Sequence, residues 1–303
     1  MSNEIDVTVG NMEYWNLFIA NAPLLFELYM VSMVLWTVLY FTCRSLFENT
    51  LFEAGWKLNS KGKTEKQRQS TMWLYMSYIV STIHAVILLG FGVRAMLSCN
   101  PPEALQKPGF LGNTYFYNDY CNETVTLECL QAITFFLGYI TVDTLFCIFG
   151  IGVDSPGMSG TFIHHGIAVF GCVGAYWVGG VIVVLSAGSC YTELSTPFVN
   201  LRWLLYFHKD SSIVYKLNGV SMTAIFFLSR CVYQAWLVPF GLIPGLKALD
   251  LTGWSSVAEF YKDATVLMYI GLTCLNLYWF NKMFTGCMKA LKGKPAPTKP
   301  RAE

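Results

Sequence analysis

The 303-residue chain is 54% apolar, 16% aromatic and only 13% charged, with a mean hydropathy of +0.45. Soluble domains carry about 25% charged residues, so a water-soluble globular fold is excluded, as are disorder, collagen and coiled coil. A net charge of +1 gives nucleic acid nothing to hold.

A bilayer core of about 30 Å calls for about 20 apolar residues per helix. On that measure the sequence predicts an all-α, polytopic membrane bundle of seven helices, over 24–42, 72–95, 130–151, 162–187, 193–207, 218–240 and 264–286. The fifth is short and carries Glu193, Asn200 and Arg202. A span that is tilted or half buried is expected there, and six helices if it fails to cross. Three regions result: 1–65 with the first helix and a basic loop, a main body over 66–290, and a flexible basic tail over 291–303.

Basic residues set the orientation. Arg44, Lys57, Lys61, Lys63, Lys66 and Arg68 fall in one loop, Lys209 and Lys216 in another, and Lys282, Lys289, Lys292, Lys294, Lys299 and Arg301 follow the last span. Only Lys107, Lys247 and Lys262 occupy loops on the other side. The N-terminus is therefore expected to be luminal or extracellular and the C-terminus cytosolic. The first 43 residues hold no Lys or Arg but include Glu4, Asp6 and Glu13, which predicts an uncleaved anchor rather than a signal peptide. The 99–129 loop then faces the lumen, where its Asn122-Glu123-Thr124 sequon marks Asn122 for glycosylation. Its Cys99, Cys121 and Cys129 would meet an oxidising compartment that permits a disulfide.

Ionisable groups at membrane depth are costly and need a partner or a task. Glu27 and Arg202 lie near helix ends and can face the headgroups or snorkel. His84 sits mid-way along the second span. Tyr139 and Asp143, four apart, share one face of the third. His164 and His165 open the fourth, but neighbouring helix positions diverge by about 100°, so the two rings cannot chelate one metal. With no Cys-x-x-Cys pair either, no metal is expected. Glu193, Thr196 and Asn200 form one polar stripe, with Pro197 in the first helical turn. Arg230 is the nearest cation, and it can pair with Asp143 or with Glu193; alternatively Asp143 orients a histidine. Asn276 and Trp279 add a polar edge to the last span. The sum predicts a polar chamber inside the bundle, open toward the cytosol near the two histidines.

These residues resemble a known family. Ile163-His164-His165-Gly166, the run Glu193-Leu194-Ser195-Thr196-Pro197-Phe198-Val199-Asn200-Leu201-Arg202-Trp203, the Tyr139…Asp143 pair, Val80-Ser81-Thr82-Ile83-His84-Ala85 and Asn276…Tyr278-Trp279-Phe280 look like a TLC-domain protein. The resemblance covers roughly 66–290 and points to the "TLC domain-containing" branch. It implies lipid homeostasis, with acyl-chain lipid or sphingolipid bound in the chamber. The alternative is an acyl-CoA-dependent acyltransferase similar to ceramide synthases, with His164 or His165 as nucleophile or base and Asp143 or Glu193 orienting it. Acyl-CoA would then be a co-substrate, and no other cofactor is expected. The His-Asp-x-x-Asp segment of ceramide synthases is missing here, and Glu193 stands near its place. His84, Tyr139, Asn200, Arg230 and Asn276 are the expected supporting residues. Membrane lipids are the expected partners, with a homodimer left open, and the endoplasmic reticulum is the expected membrane, with the plasma membrane as the alternative. A seven-helix receptor, a membrane di-iron desaturase and an inverted-repeat transporter are disfavoured, because their motifs are missing.

Overall fold

The computed structural model describes residues 7–99, 101, 103–106, 124–155, 158–237, 239, 242–243 and 256–291, and among them every regular element is helical. The chain begins with α1 (Val7–Phe47), a π-helical turn (Glu48–Phe52) and the short α2 (Glu53–Asn59). It continues through α3 (Glu65–Leu97) and α4 (Leu127–Phe146), the latter prolonged by a second π-helical stretch (Cys147–Gly152). Next come α5 (Met158–Val178), α6 (Gly180–Gly188), a 3₁₀ segment (Ser189–Ser195) and α7 (Thr196–Phe207). The last described elements are α8 (Ile213–Phe226), a third π-helical stretch (Phe227–Val232), α9 (Tyr233–Leu237) and α10 (Ser256–Leu291).

Among the described residues five stretches are long and apolar enough to cross a membrane: Glu13–Asn59, Glu65–Leu97, Leu127–Gly152, Met158–Val178 and Ile213–Leu237. α10 has the length, at 36 residues, but carries Glu259, Lys262, Asp263 and Lys282 and is not one of the five. The apolar side chains that cover the outside of the bundle fit a hydrocarbon solvent. Phe26, Val31, Val34 and Phe41 on α1 and Phe149 beyond α4 all point outward and are largely exposed.

Two of the expected spans are corrected. The run 162–187 is not one helix: it breaks between α5 and α6 at Gly179, whose φ of +73° is open to glycine at little cost. A Cβ there would also lie 2.5 Å from the Tyr14 ring. Tyr14 donates a 2.8 Å hydrogen bond to the Tyr176 carbonyl, so α1 closes the end that the break leaves open. The span expected over 193–207 is not one helix either. Its first residues belong to the 3₁₀ segment, and α7 proper has 12 residues, too few to cross alone.

Small residues let the helices approach. A Cβ on Gly138 of α4 would fall 2.6 Å from the Ser32 side chain of α1. Ser32 Oγ uses the space to donate to the Phe135 carbonyl at 2.8 Å and to accept from Trp36 Nε1 at 3.0 Å. At the end where α3 starts, Thr64 and Gln67 cap each other reciprocally. Arg68 there binds Glu53 at 3.1 Å, tying α3 to α2. Just past α7, His208 hydrogen-bonds Tyr75 Oη at 3.1 Å, and burial lowers its pKa.

Candidate functional site

α3, α4, α5 and the segment from the 3₁₀ turn into α7 line a chamber of about 460 Å³, to which α8, the third π stretch and α10 add further walls. His84, Tyr139, Asp143, His164, His165, Glu193, Asn200 and Arg230 all line it. Residues far apart in sequence thus meet around one void. The chamber sits toward the bundle end where α3 and α5 begin and α4 finishes.

Asp143 anchors one wall. Its Oδ1 accepts from Ser77 Oγ at 3.0 Å and from the Tyr40 hydroxyl, while its Oδ2 lies 3.2 Å from His165 Nε2. His165 is held at its other nitrogen as well, 2.9 Å from Thr144 Oγ1. Of the two partners the sequence offered for Asp143, the structure takes the histidine. Cys147, one turn beyond Asp143, brings its thiol to the same corner. The carboxylate, thiol and imidazole ligand atoms lie within 4.8 Å of one another, and all three residues are buried.

Arg230 pairs instead with Glu193. Its Nη2 lies 3.1 Å from Glu193 Oε1, and only 8% and 12% of the two side chains is exposed, so the pair is nearly dry. The guanidinium also donates from Nε to the Thr192 carbonyl (3.1 Å) and Ser195 Oγ (2.9 Å), and from Nη2 to Thr196 Oγ1 (3.0 Å). Thr196 in turn donates its hydroxyl hydrogen bond to Glu193 Oε2 at 2.6 Å. Arg230 thereby satisfies carbonyl and hydroxyl groups at the junction of the 3₁₀ turn and α7, where the regular ladder is interrupted. Pro197 does fall in the first turn of α7. Asn200, on the same stripe, donates to Thr82 Oγ1 at 3.1 Å.

Two histidines face the void with unused hydrogen-bonding capacity. His84 is 1% exposed and stacks on Tyr139, ring centroids 3.5 Å apart, yet neither ring nitrogen has a hydrogen-bond partner among the described residues. The Nδ1 of His164 is in the same condition. The His164 and His165 rings stand 6.0 Å apart and do different things: His165 packs on Asp143, while His164 turns toward Trp279.

A second, smaller void of about 100 Å³ adjoins the first. Its walls are mostly apolar, including Leu88, Ile133, Ile167, Met268 and Leu272. Phe136, His164 and Glu193 line both voids, so chamber and cleft share a wall.

Some expected residues lie elsewhere. Asn276 is buried but does not line the chamber; it donates to Gln234 Oε1 at 2.5 Å behind the wall that carries Arg230. Glu27 faces outward, and Arg202 stacks on Tyr215, 3.3 Å from the ring centre. Asn122 and Cys121 fall outside the described residues, whereas Cys99 is disulfide-bonded and Cys129 is a free buried thiol. Tyr40, Ser77, Thr144 and Cys147 belong to the site and were not singled out in the sequence. For Thr144 and Cys147 a signal existed, since both follow Asp143 within about one helical turn.

The family model for the TLC domain matches residues 75–285, more than half of the chain. The chain belongs to the TLC-domain family. A zebrafish (Danio rerio) TLC domain-containing protein 4-B is 26% identical over 84% of this chain and 86% of its own length. TLC domain-containing protein 4 of Xenopus tropicalis is 28% identical, and 4-A of Xenopus laevis is 30% identical, each over 72% of this chain and 77% of the relative. The TLC domain as matched spans α4 to α9 whole, together with most of α3 and α10, and so includes every chamber residue except Leu74. Tyr40, which reaches Asp143 from α1, lies before it.

Proposed function

We propose that this integral membrane TLC-domain protein serves lipid homeostasis by holding one acyl-chain lipid or sphingolipid, polar group in the chamber and chain in the adjoining cleft. One observation carries the reading: a large void with hydrogen-bonding walls and a narrow apolar one share Phe136, His164 and Glu193. A ligand with a polar head and a greasy tail matches that pair of surfaces. The ring nitrogens of His84 and the Nδ1 of His164 are buried polar atoms whose cost a ligand's head would remove. We propose the endoplasmic reticulum as its membrane, with the plasma membrane as the alternative. Acyl transfer from acyl-CoA is the second reading, favoured by the firm seating of His165 between Thr144 and Asp143. It stands second because Glu193, nearest to the missing His-Asp-x-x-Asp segment, is committed to Arg230.

Native mass spectrometry of the purified full-length protein tests the lipid reading. The wild type should carry co-purified lipid at a defined mass. Gly171 borders the cleft, and a Cβ there would meet only Met268 Cε at 4.0 Å, so Gly171→Leu can fill the cleft without a backbone clash. Retained lipid should fall at least about tenfold, the loss expected when a well-fitted apolar pocket worth about 1.4 kcal/mol or more is blocked. Equal lipid on both proteins would refute the reading.

A further inference from the structure

The corner where α4 meets α5 presents a problem of proton count. Thr144 has one hydroxyl proton, and its Oγ1 lies 2.6 Å from the Ile140 carbonyl oxygen and 2.9 Å from His165 Nδ1. The carbonyl can only accept, so Thr144 donates to it and accepts from His165. His165 therefore carries its proton on Nδ1, and as a neutral ring it presents a lone pair at Nε2. That lone pair faces Asp143 Oδ2 at 3.2 Å. Oδ1 of Asp143 meanwhile accepts from both Tyr40 and Ser77, the pattern of an ionised carboxylate. Two acceptors this close, both buried, repel each other unless a cation lies between them. A proton would suffice, but it has no need of a third donor. The structure supplies one: Cys147 Sγ, within 4.8 Å of the other two ligand atoms.

We infer that Asp143, Cys147 and His165 bind a divalent transition metal of the zinc class, with its fourth position open to the chamber. The charges balance, since carboxylate and thiolate bring two negative charges and the imidazole none. The geometry is close to complete. Zinc bonds of about 2.0–2.1 Å to nitrogen and oxygen, tetrahedrally arranged, set those atoms about 3.3 Å apart, against the 3.2 Å found. The sulfur lies within 4.8 Å of the other two ligand atoms, so a shift of about 1 Å at most brings it to a zinc–thiolate bond of about 2.3 Å. Both first ligands are already oriented from behind, His165 by Thr144 and Asp143 by Tyr40 and Ser77, as ligands of bound metals are. A mixed sulfur, nitrogen and oxygen set suits zinc or cobalt and not magnesium or calcium. All three residues line the chamber, so the open position faces whatever occupies it. The one-turn spacing of Asp143 and Cys147 does not by itself mark a metal site, because the third ligand comes from another helix and Asp-x-x-x-Cys matches no familiar metal motif.

The inference does not depend on lipid binding, and its test is separate. Full-length protein is purified in detergent without chelator, incubated with zinc, desalted and measured for metal by mass spectrometry. A second sample is loaded with cobalt(II) and its absorption recorded. Wild type should hold about one zinc per chain, and its cobalt form should show thiolate-to-cobalt charge transfer. Cys147→Ala should lose both, while Cys172→Ala, which removes a buried thiol outside the cluster, keeps both. Wild type without bound metal and without the thiolate band would overturn the inference and leave a bridging proton in its place. So would equal metal and equal spectra in wild type and Cys147→Ala. If Cys147→Ala does not fold, the wild-type cobalt spectrum together with that of Cys172→Ala still decides.

Discussion

Replacing Arg230 with leucine should destabilise the protein by about 3–5 kcal/mol, the range for breaking one half of a buried ion pair. The reason lies in what remains. Glu193 would keep a carboxylate that is 12% exposed and has lost its cation. The Thr192 carbonyl and Ser195 hydroxyl would lose the guanidinium N–H that both share. These groups sit where a 3₁₀ turn hands over to α7, so the damage falls on a junction with few backbone hydrogen bonds of its own. A second replacement separates charge from packing. Glu193→Leu added to Arg230→Leu removes both charges and should recover most of the loss. Arg230→Lys keeps the charge but not the planar fork, and it should fall in between. Thermal midpoints of the three variants and the wild type in one detergent provide the comparison. A double variant less stable than Arg230→Leu would refute this account of the pair.

Asp143→Ala should cost about 3 kcal/mol or more, because it strands the hydroxyls of Tyr40 and Ser77 together in a buried site, and each unsatisfied group costs about 1–3 kcal/mol. Asp143→Asn retains a carbonyl oxygen for both hydroxyls and should cost less than half as much. Adding Tyr40→Phe to Asp143→Ala removes one stranded donor and should restore part of the stability. The same thermal comparison applies. Alanine and asparagine variants of equal midpoint would show that the hydroxyls do not depend on this carboxylate. Tyr40 reaches Asp143 from α1, so the result also measures how firmly the first helix is tied to the rest of the bundle.

Much of the site was legible because burying charge in an apolar chain is costly. His84, Asp143, His164, His165, Glu193 and Arg230 stood out as charged or titratable residues in apolar runs, and they do converge on one chamber. Their pairing was only half readable. Two acids and one arginine left Asp143–Arg230 and Glu193–Arg230 equally open, and only the packing of α4 against α5 gives Asp143 to His165. Polar residues of ordinary type gave no such signal. Tyr40 and Ser77 look like any tyrosine and serine on an apolar helix, and Asn276 looked no different from Asn200 although one lies behind the wall and the other on it. The helix breaks were hidden for a related reason. Past His165 the run to 187 is almost wholly apolar, so hydropathy sees one span where Gly179-Gly180 allows a backbone turn. Among the described residues five stretches pass on length and apolarity where seven were expected, because the region 180–207 is divided into short helices and the uncharged middle of α10 is diluted by Asn276, Asn281 and other polar residues.

The central claim is that a lipid's chain enters the cleft while its head lies in the chamber. Photocrosslinking tests it most directly: cells expressing the protein take up a fatty acid bearing a diazirine near its methyl end, are irradiated, and the labelled peptides are sequenced. The account predicts labels on the cleft residues Ile133, Ile167, Met268 and Leu272, reduced by Gly171→Leu. Labels confined to outward-facing Phe41, Phe149 and Leu267, unchanged by Gly171→Leu, would mean that the protein meets lipid only as solvent.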